Sequence, residues 1–327
     1  MNQAGLVTRF AGMLALSLCT VQPASAFLAY VSNEKGNSVT ILDTDSMTAV
    51  GKIKTGQRPR GIEVSPDGKH VFVAASDDDV IQIIDTATRK IVGRLPSGED
   101  PEQFSIDPAG KFLYVANEND AKVTIIDLAT RKTVGQIPVG IEPEGIAISP
   151  DGRTVVCTSE TTSMAHFIDV ETRNVAGSVV LGSRPRSAAF KHDGSELWVT
   201  SEIGGELAII DPSTRRIRKT VRFAVQGLRS ESIQPVGINI TKDGKFGFVS
   251  LGPANRVAVV DAASHEVVKY ILVGQRVWHG AFTPDEKYLL VANGMTNDVS
   301  VIDVVSQKVI KSIPVGEMPW GVAVSPK

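Results

Sequence analysis

Cysteine is nearly absent from this chain, which has two cysteines among 327 residues. Cys19 lies in an N-terminal apolar segment and Cys157 lies in an apolar run further along, so disulfides cannot hold the fold together. Covalent haem attachment is excluded as well, because the sequence has no Cys-x-x-Cys-His motif. A chain without crosslinks needs a large hydrophobic core, and this length can bury one.

Neither sign of charge is in excess. The chain has 34 lysines and arginines against 36 aspartates and glutamates, for a net charge of -2. This balance gives no reason to expect nucleic acid or an anionic membrane surface as a partner. The sequence also has no Gly-x-Ser-x-Gly elbow, no His-Glu-x-x-His motif and no phosphate-binding loop, which excludes the enzyme classes that depend on them.

No apolar run is long enough to predict a membrane span. The longest begins near Phe10, follows Arg9, and is followed by Pro23-Ala24-Ser25-Ala26, which has the small residues of a signal-peptide cleavage site. We therefore expect a cleaved export signal over residues 1–26, a mature chain that begins at Phe27, and a periplasmic location.

A repeat of 42 residues accounts for the remainder of the sequence. Its clearest mark is an aspartate that closes an apolar run, and successive marks are 42 residues apart except for one interval of 50. These aspartates are Asp43, Asp85, Asp127, Asp169, Asp211, Asp261 and Asp303. Each unit has four short runs rich in β-branched and aromatic residues, separated by Gly, Asn, Asp or Pro, which is typical of a propeller blade. The pattern predicts one all-β domain over residues 27–327, a seven-bladed β-propeller of four-stranded blades.

The first unit is incomplete. It has only three strand-like runs, over residues 28–32, 38–42 and 49–53, whereas residues 318–327 match the beginning of a unit and then stop. We expect the C-terminal strand to complete the N-terminal blade, so that the ring closes without an exposed edge strand.

The two faces of this propeller should differ in chemistry. The lower face carries the Pro-Asp-Gly turns and the turns after the repeated aspartates, whose carboxylates should accept backbone N–H bonds and have a structural role. The upper face carries the loops that lead into each inner strand and the loops that follow each second strand. Residues on the upper face change from blade to blade at fixed register, so the candidate functional residues lie there.

Three sets of upper-face residues stand out. The position after each inner-strand proline, or its equivalent, should lie at the mouth of the central channel and holds Arg60, Glu102, Glu144, Arg186, Val236, Trp278 and Trp320. The position before each inner-strand proline, or its equivalent, holds Arg58, Asp100, Glu142, Arg184, Gln234, Arg276 and Met318. The ends of the second strands add Glu34, Glu118, Glu160 and Glu202. These sets predict either a solvated ring of Arg–Glu pairs that holds the blades in register, or a binding rim for a ligand or partner.

Two features favour binding. Trp278 and Trp320 occupy equivalent positions, and exposed tryptophans beside Arg276 and His279 are typical of a contact hot spot. The extra residues of the 50-residue interval lie in residues 222–232 and should overhang the same face. The alternative for the tryptophans is a hydrophobic plug in a narrow channel.

A divalent metal is the one cofactor for which the sequence offers ligands. Glu34, Glu118, Glu160 and Glu202 could supply oxygen ligands and His279 could supply a nitrogen. These residues lie on different blades, so the sequence does not establish that they converge. Propeller lactonases resemble the chain in architecture, and those that use a metal hold it with carboxylates at the channel mouth. A metal-assisted hydrolase of this kind is therefore the alternative function.

Recurring tetrapeptides also carry a family resemblance. Tyr-Val-Ser-Asn at residues 30–33, Tyr-Val-Ala-Asn at 114–117 and Leu-Val-Ala-Asn at 290–293 resemble the YVTN family of WD40-like propeller repeats, and the resemblance covers residues 28–327. Within that family the chain most resembles the β-propeller proteins associated with PQQ-dependent catabolism. This resemblance implies a periplasmic, non-catalytic binding or assembly protein that is accessory to alcohol or aldehyde oxidation. Its implied partner is a periplasmic protein such as a quinoprotein dehydrogenase or its cytochrome c.

Overall fold

The computed structural model describes Met1 and residues 27–326. It contains 28 strands in seven four-stranded antiparallel sheets, so the prediction of a seven-bladed all-β propeller is confirmed. The predicted export signal and its cleavage site lie outside the described residues. Among the residues that are described, no helix is long and apolar enough to cross a membrane.

Each sheet is one blade, and the strands are numbered along the chain. The inner strands of blades 1 to 7 are β28 (Pro319–Val324), β4 (Pro59–Val64), β8 (Pro101–Ile106), β12 (Pro143–Ile148), β16 (Pro185–Phe190), β20 (Ile238–Ile240) and β24 (Val277–Phe282). The second strands are β1 (Leu28–Asn33), β5 (His70–Ala75), β9 (Phe112–Asn117), β13 (Thr154–Ser159), β17 (Leu197–Ser201), β21 (Phe246–Ser250) and β25 (Tyr288–Asn293).

The two remaining strands of each blade complete the sheet. The third strands are β2 (Ser38–Asp43), β6 (Val80–Asp85), β10 (Lys122–Asp127), β14 (Met164–Asp169), β18 (Glu206–Asp211), β22 (Arg256–Asp261) and β26 (Asp298–Asp303). The outer strands are β3 (Thr48–Lys54), β7 (Lys90–Pro96), β11 (Lys132–Pro138), β15 (Asn174–Val180), β19 (Arg216–Arg222), β23 (Glu266–Leu272) and β27 (Lys308–Pro314). Two short 3-10 turns lie at Ser76–Asp78 and Ser230–Ser232.

The repeated aspartates end the third strands by capping the turns that follow. The Asp85 carboxylate accepts the backbone N–H and the hydroxyl of Thr88, each at 2.7 Å, and Asp127 and Asp169 do the same with the threonines three residues on. These bonds hold the pKa of Asp85 below its usual value. The structural role predicted for these carboxylates is confirmed.

The C-terminal strand closes the ring as predicted. Strand β28 is hydrogen-bonded to β1, with Val31 opposite Val322 and Ala29 opposite Val324. Its other side contacts the inner strands of blades 2 and 7. The inner strands of neighbouring blades therefore surround a central channel, and both ends of the propeller chain meet in one blade.

The hydrophobic core lies between adjacent blades, because both faces of each sheet are covered by neighbours. Trp198 of blade 5 is fully buried against blade 6, where it packs with Val249 and Val260. A Cβ atom at Gly247 would lie only 2.1 Å from the Trp198 ring, so this strand position requires glycine. Similar apolar clusters fill the other interfaces.

The 50-residue interval is accommodated between β19 and β20. In this long connection Phe223 and Ile233 are buried in the cluster between blades 5 and 6. Gln234 then reaches the upper face, where its side-chain oxygen accepts a hydrogen bond from Arg276 at 2.9 Å. The connection is thus anchored at both ends, and Gln234, just beyond residues 222–232, borders the channel mouth.

Candidate functional site at the channel mouth

The inner ring is formed by the residue at the second position of each inner strand or its equivalent, namely Arg60, Glu102, Glu144, Arg186, Val236, Trp278 and Trp320. Most of its side chains are buried: Glu102 and Glu144 are 0% exposed, and Arg186 is 3% exposed. The prediction of a solvated rim at these positions is therefore wrong. The reason is a β-bulge at this point, between Pro59 and Ile62 in blade 2 and at the equivalent place in blades 3, 4, 5 and 7. A bulge changes the direction in which side chains leave the strand. Here it lies at the inner-ring position, whose side chains pair with those of neighbouring blades.

Ion pairs in the inner ring join neighbouring blades. Arg60 of blade 2 binds Glu102 of blade 3 at 2.7 Å, and Arg186 of blade 5 lies 3.2 Å from Glu144 of blade 4. Arg186 also donates to Glu160 of blade 4. Burial raises the pKa of Glu144 well above its usual range. The predicted Arg–Glu pairing between blades is confirmed, but the pairs are buried and their loss should be costly.

Replacing Arg186 with methionine should lower the free energy of unfolding by about 3–5 kcal/mol, because it leaves Glu144 and Glu160 buried without a guanidinium. The deficit should shrink as the pH falls, since Arg186 partly offsets the effect of burial on the pKa of Glu144; without it that pKa rises further, and proton uptake stabilises the folded variant more than the folded wild type. Urea denaturation at several pH values measures both effects. The exposed Arg216, whose side chain has no partner among residues 27–326, provides the control Arg216→Met. An unchanged urea midpoint in Arg186→Met would contradict the structural role.

A second layer lies above the inner ring. We call it the outer ring, and it comprises Arg58, Asp100, Glu142, Arg184, Gln234, Arg276 and Met318. Six of these seven residues, all except Gln234, have left-handed backbone with φ between 50° and 60°. Such conformations are uncommon outside glycine and occur often in functional loops. In this case the same turn recurs in six of the seven blades, immediately before the inner strand.

Arginines of the outer ring hold the acids at the ends of the second strands. Arg184 lies 2.8 Å from Glu160 and 3.2 Å from Glu202, and Arg276 lies 3.0 Å from Glu202. Glu34 is paired with Arg60 at 3.4 Å. Three of the four predicted metal ligands, Glu34, Glu160 and Glu202, are thus engaged by arginine.

Glu118 is the exception among these acids. Ligand oxygens of Asp100, Glu102 and Glu118 lie within 4.8 Å of one another, and so do those of Glu118, Glu142 and Glu160. Neither Glu118 nor Glu142 forms an ion pair with an arginine or lysine in the described chain. Burial, followed by the neighbouring Glu102 and Asp100, raises the pKa of Glu118 to about 7. The structure therefore brings Glu118 and Glu160 together as the sequence proposed, while Glu34 and Glu202 lie outside both triads.

The carboxylates that complete these triads were visible in the sequence but were not selected as metal ligands. Asp100 and Glu142 occupy equivalent outer-ring positions, one residue before the inner-strand prolines of blades 3 and 4. Glu102 and Glu144 follow the same prolines. The sequence feature that could have identified them is the concentration of acidic residues on two adjacent blades, which lie close together in the folded structure.

A pocket of about 360 Å³ opens at the channel mouth beside this cluster. Its lining residues are Arg58, Arg60, Glu118, Arg184, Arg186, Glu202, Ile203, Gln234, Arg276 and Trp278. The side chain of Arg184 is 46% exposed and pairs with Glu160 and Glu202 through its Nε atom, whereas Arg276 is 21% exposed and already donates to Gln234 and Glu202. The pocket thus combines an arginine-rich wall with one carboxyl group, Glu118, that has no arginine partner.

The tryptophans form the floor of the mouth and are not exposed contacts. Trp278 is 9% exposed and Trp320 is 2% exposed. The centres of their rings are 6.4 Å apart, and both side chains pack with Val236. Arg276 lies over Trp278 at 4.2 Å, a distance that favours a cation–π interaction. The prediction of an exposed tryptophan hot spot is wrong, and the alternative of a hydrophobic plug is confirmed.

His279 lies beside this plug, with its ring 4.2 Å from that of Trp320. Burial, together with Arg186 and Arg60, lowers its pKa to about 3. The imidazole is therefore neutral at ordinary pH. Because it is absent from both carboxylate triads, His279 is not placed as a metal ligand.

Two family profiles match the sequence. The lactonase family of seven-bladed β-propellers matches residues 7–91 and 171–309, which together are more than half of the chain. The cytochrome D1 haem domain matches residues 71–179. The first match contains the arginines at positions 58, 60, 184, 186 and 276, and the second contains Glu118 and its neighbouring acids. No curated protein is a significant match to the chain.

Several solved structures share the fold. The hydrazine synthase of Kuenenia stuttgartiensis is 21% identical with a TM-score of 0.77, covering 89% of this chain and 99% of that one. A proposed 6-phosphogluconolactonase from Bacteroides fragilis is 19% identical with a TM-score of 0.76, covering 95% and 99%. The dihydro-heme d1 dehydrogenase NirN is 16% identical with a TM-score of 0.68, covering 93% and 76%. At these identities the likeness shows the fold alone.

The residues in the haem-domain match do not fit a haem. His166 is the only histidine among residues 71–179. Its Nε2 accepts the Gly140 N–H at 3.0 Å, and its Nδ1 is bonded to the Ser178 hydroxyl at 2.8 Å. Both ring nitrogens are occupied, so neither can ligate an iron.

Proposed function

The chain belongs to the seven-bladed β-propeller lactonase family. We propose that it hydrolyses a lactone in the pocket at the channel mouth. The observation that carries the proposal is the position of Glu118. This carboxyl group lines the pocket, has no arginine partner, and has a pKa raised to about 7. A pKa near the working pH suits a group that must both accept and release a proton.

The pocket favours a lactone that carries a carboxylate or a phosphate. Arg184 is 46% exposed and its ion pairs use Nε, so its terminal nitrogens can bind such an anion through paired hydrogen bonds, and Arg276 adds positive charge to the same wall. Glu202 holds both arginines in place from below. Trp278 supplies an apolar floor for the ring of the substrate.

The reaction requires one proton to move twice. The Glu118 carboxylate accepts a proton from a water molecule as the water oxygen bonds to the lactone carbonyl carbon. The guanidinium groups of the wall stabilise the negative charge that develops on the carbonyl oxygen. The bond from the carbonyl carbon to the ring oxygen then breaks, and the ring oxygen takes the proton back from Glu118, which gives a hydroxy acid.

A metal-assisted form of the same hydrolysis is the second candidate, because the triad of Glu118, Glu142 and Glu160 brings three ligand oxygens within 4.8 Å. Carboxylate oxygens suit hard cations such as Ca²⁺, Mg²⁺ or Mn²⁺, and two of these three carboxylates carry no arginine, so the donor set fits such an ion. When bound, the cation would polarise the lactone carbonyl as a Lewis acid. Glu118 would then bind the cation and would not carry the proton.

The pH dependence of hydrolysis tests the role of Glu118. The group must be deprotonated to accept a proton, and its pKa is about 7. We therefore expect kcat/KM to fall about tenfold for each pH unit below that value and to be constant above it. Initial rates of lactone opening over about pH 5 to 9, measured against the spontaneous rate in buffer, give this profile.

The control is the rate at neutral pH after the protein has been held at acid pH. Full recovery of this rate shows that the loss at low pH reflects titration of Glu118 and not unfolding. A profile that is flat through pH 7 would remove Glu118 as the proton acceptor.

The location and partners of the protein remain predictions from its sequence. Export through residues 1–26, a periplasmic location and a place beside PQQ-dependent oxidation rest on the motifs and the YVTN resemblance described above. A non-catalytic docking role would have to use the outer ring, because Trp278 and Trp320 are buried.

A further inference from the structure

A second cavity lies on the lower face, between blades 2 and 3 and away from the channel mouth. Its volume is about 280 Å³. Its lining residues are Ser65, Pro66, Asp67, His70, Phe72, Ile83, Ala109, Gly110, Leu128 and Arg131. Phe72 and Ile83 are each 4% exposed and belong to the core cluster between these two blades. The floor of this cavity is therefore apolar.

The other blades provide comparisons for Arg131, the arginine that lines this cavity. Four turns after the third strands end in an arginine with left-handed backbone, at Arg89, Arg131, Arg173 and Arg215. Three of them donate to a carbonyl of the neighbouring outer strand, from Arg89 to Val50, from Arg173 to Val134 and from Arg215 to Ala176. The Arg131 guanidinium lies against Gly93 of the neighbouring outer strand, at the place its counterparts occupy, but in the described part of the chain it makes no such hydrogen bond and no ion pair.

The blade 3 turn that lines the cavity, with Ala109 and Gly110, also departs from the repeat. Five other blades place an aspartate in this turn, at Asp67, Asp151, Asp193, Asp243 and Asp285, whereas blade 3 has Ala109. The aspartate of blade 2 that borders the cavity accepts the Ser65 hydroxyl at 2.6 Å and the Lys69 N–H at 3.1 Å, so it is directed into its own turn. Blade 3 carries its acid two residues earlier, at Asp107, whose carboxylate accepts the Lys111 and Phe112 N–H groups at 2.6 Å and does not line the cavity.

His70 removes a second partner that this arginine would otherwise have. In the next interface, Arg173 lies over the ring of Phe112 at 5.8 Å. The position equivalent to Phe112 in blade 2 is His70, and Arg131 has no cation–π contact with an aromatic ring among residues 27–326. The cavity therefore combines an apolar floor, a guanidinium without a hydrogen-bond or ion-pair partner in the described chain, and two turns whose acids, Asp67 and Asp107, are hydrogen-bonded within those turns.

We propose that this cavity is a binding site for a small carboxylate with an apolar body, such as a medium-chain fatty acid or an arylcarboxylate. The apolar body occupies the floor formed by Phe72, Ile83 and Leu128, and the carboxylate pairs with Arg131. The site is separate from the channel mouth and does not depend on the proposed hydrolysis.

Calorimetric titration of the full chain with octanoate and with octanol tests the site. The two probes share an apolar body and differ in charge. Octanoate should bind with one-to-one stoichiometry and at least about tenfold more tightly than octanol, because the charged hydrogen bonds to Arg131 distinguish them. Arg131→Met should reduce this preference about tenfold, while the equivalent substitution in the next blade, Arg173→Met, should leave it unchanged.

A second variant keeps the arginine and places an acid on the cavity wall. Ala109→Asp introduces the residue that five other blades carry at this position, and octanoate affinity should fall about tenfold through charge repulsion, with the thermal unfolding midpoint measured to show that the variant is folded. Octanoate binding that is absent, that equals octanol binding, or that survives both Arg131→Met and Ala109→Asp would overturn the proposal.

Discussion

Deletion of residues 320–327 is expected to leave the protein unfolded at room temperature. Residues 320–324 form most of β28, which is the inner strand of blade 1 and is hydrogen-bonded to β1. Without it, the second strand of blade 1 keeps only β2 as a partner, and the ring has an open edge. Trp320 is 2% exposed, and loss of a buried tryptophan alone costs about 3–5 kcal/mol. A typical domain has a total stability of about 5–15 kcal/mol, so loss of the strand should exceed what the fold can tolerate.

Circular dichroism during thermal unfolding measures this effect. Deletion of only Pro326 and Lys327 is the matched control, because it leaves β28 intact. A protein without residues 320–327 that melted cooperatively at the wild-type temperature would show that the C-terminal strand does not close the propeller.

Replacement of Glu118 with glutamine is expected to lower kcat for lactone hydrolysis by at least about 100-fold, the usual contribution of a general base. Glutamine has nearly the same size but cannot accept the proton. KM should change little, because the arginines of the wall are expected to hold the substrate. The folded structure should be retained or slightly stabilised, because a neutral side chain relieves repulsion with Glu102 and Asp100.

Glu317→Gln is the control for this substitution. Glu317 lies on an exposed loop of the same face, one residue before the outer-ring Met318, and it borders neither the pocket nor the triads. Equal activity of Glu118→Gln and Glu317→Gln would remove Glu118 from the mechanism.

The fold could be predicted from the sequence because the repeat records it many times. The aspartates from Asp43 to Asp303 fix the period, and each of them ends a third strand in the structure. Ring closure followed from a missing run in the first unit and the surplus run that begins near Met318. Each of these signals is local in sequence and depends only on strand and turn chemistry.

The candidate site was less predictable, because burial and pairing depend on how seven strands converge. The sequence placed Trp278 and Trp320 at the mouth but did not indicate that their rings would meet as a plug. It placed Glu34, Glu118, Glu160 and Glu202 in register, but only the fold shows that arginines engage three of these residues and leave Glu118 without one. Side-chain pairing between blades is a long-range property, and a single sequence does not encode it in a local pattern.

Hydrolysis at the channel mouth is tested most directly by the rate of lactone opening by the purified full chain. The substrates should be a panel of lactones with and without a carboxylate or phosphate, with boiled protein as the blank. We expect protein treated with a chelator to open anionic lactones well above the blank. Activity that appears only after a divalent cation is added would assign Glu118 to the metal-assisted form. If no lactone opened above the blank, with or without a divalent cation, the channel mouth would not be a hydrolytic site.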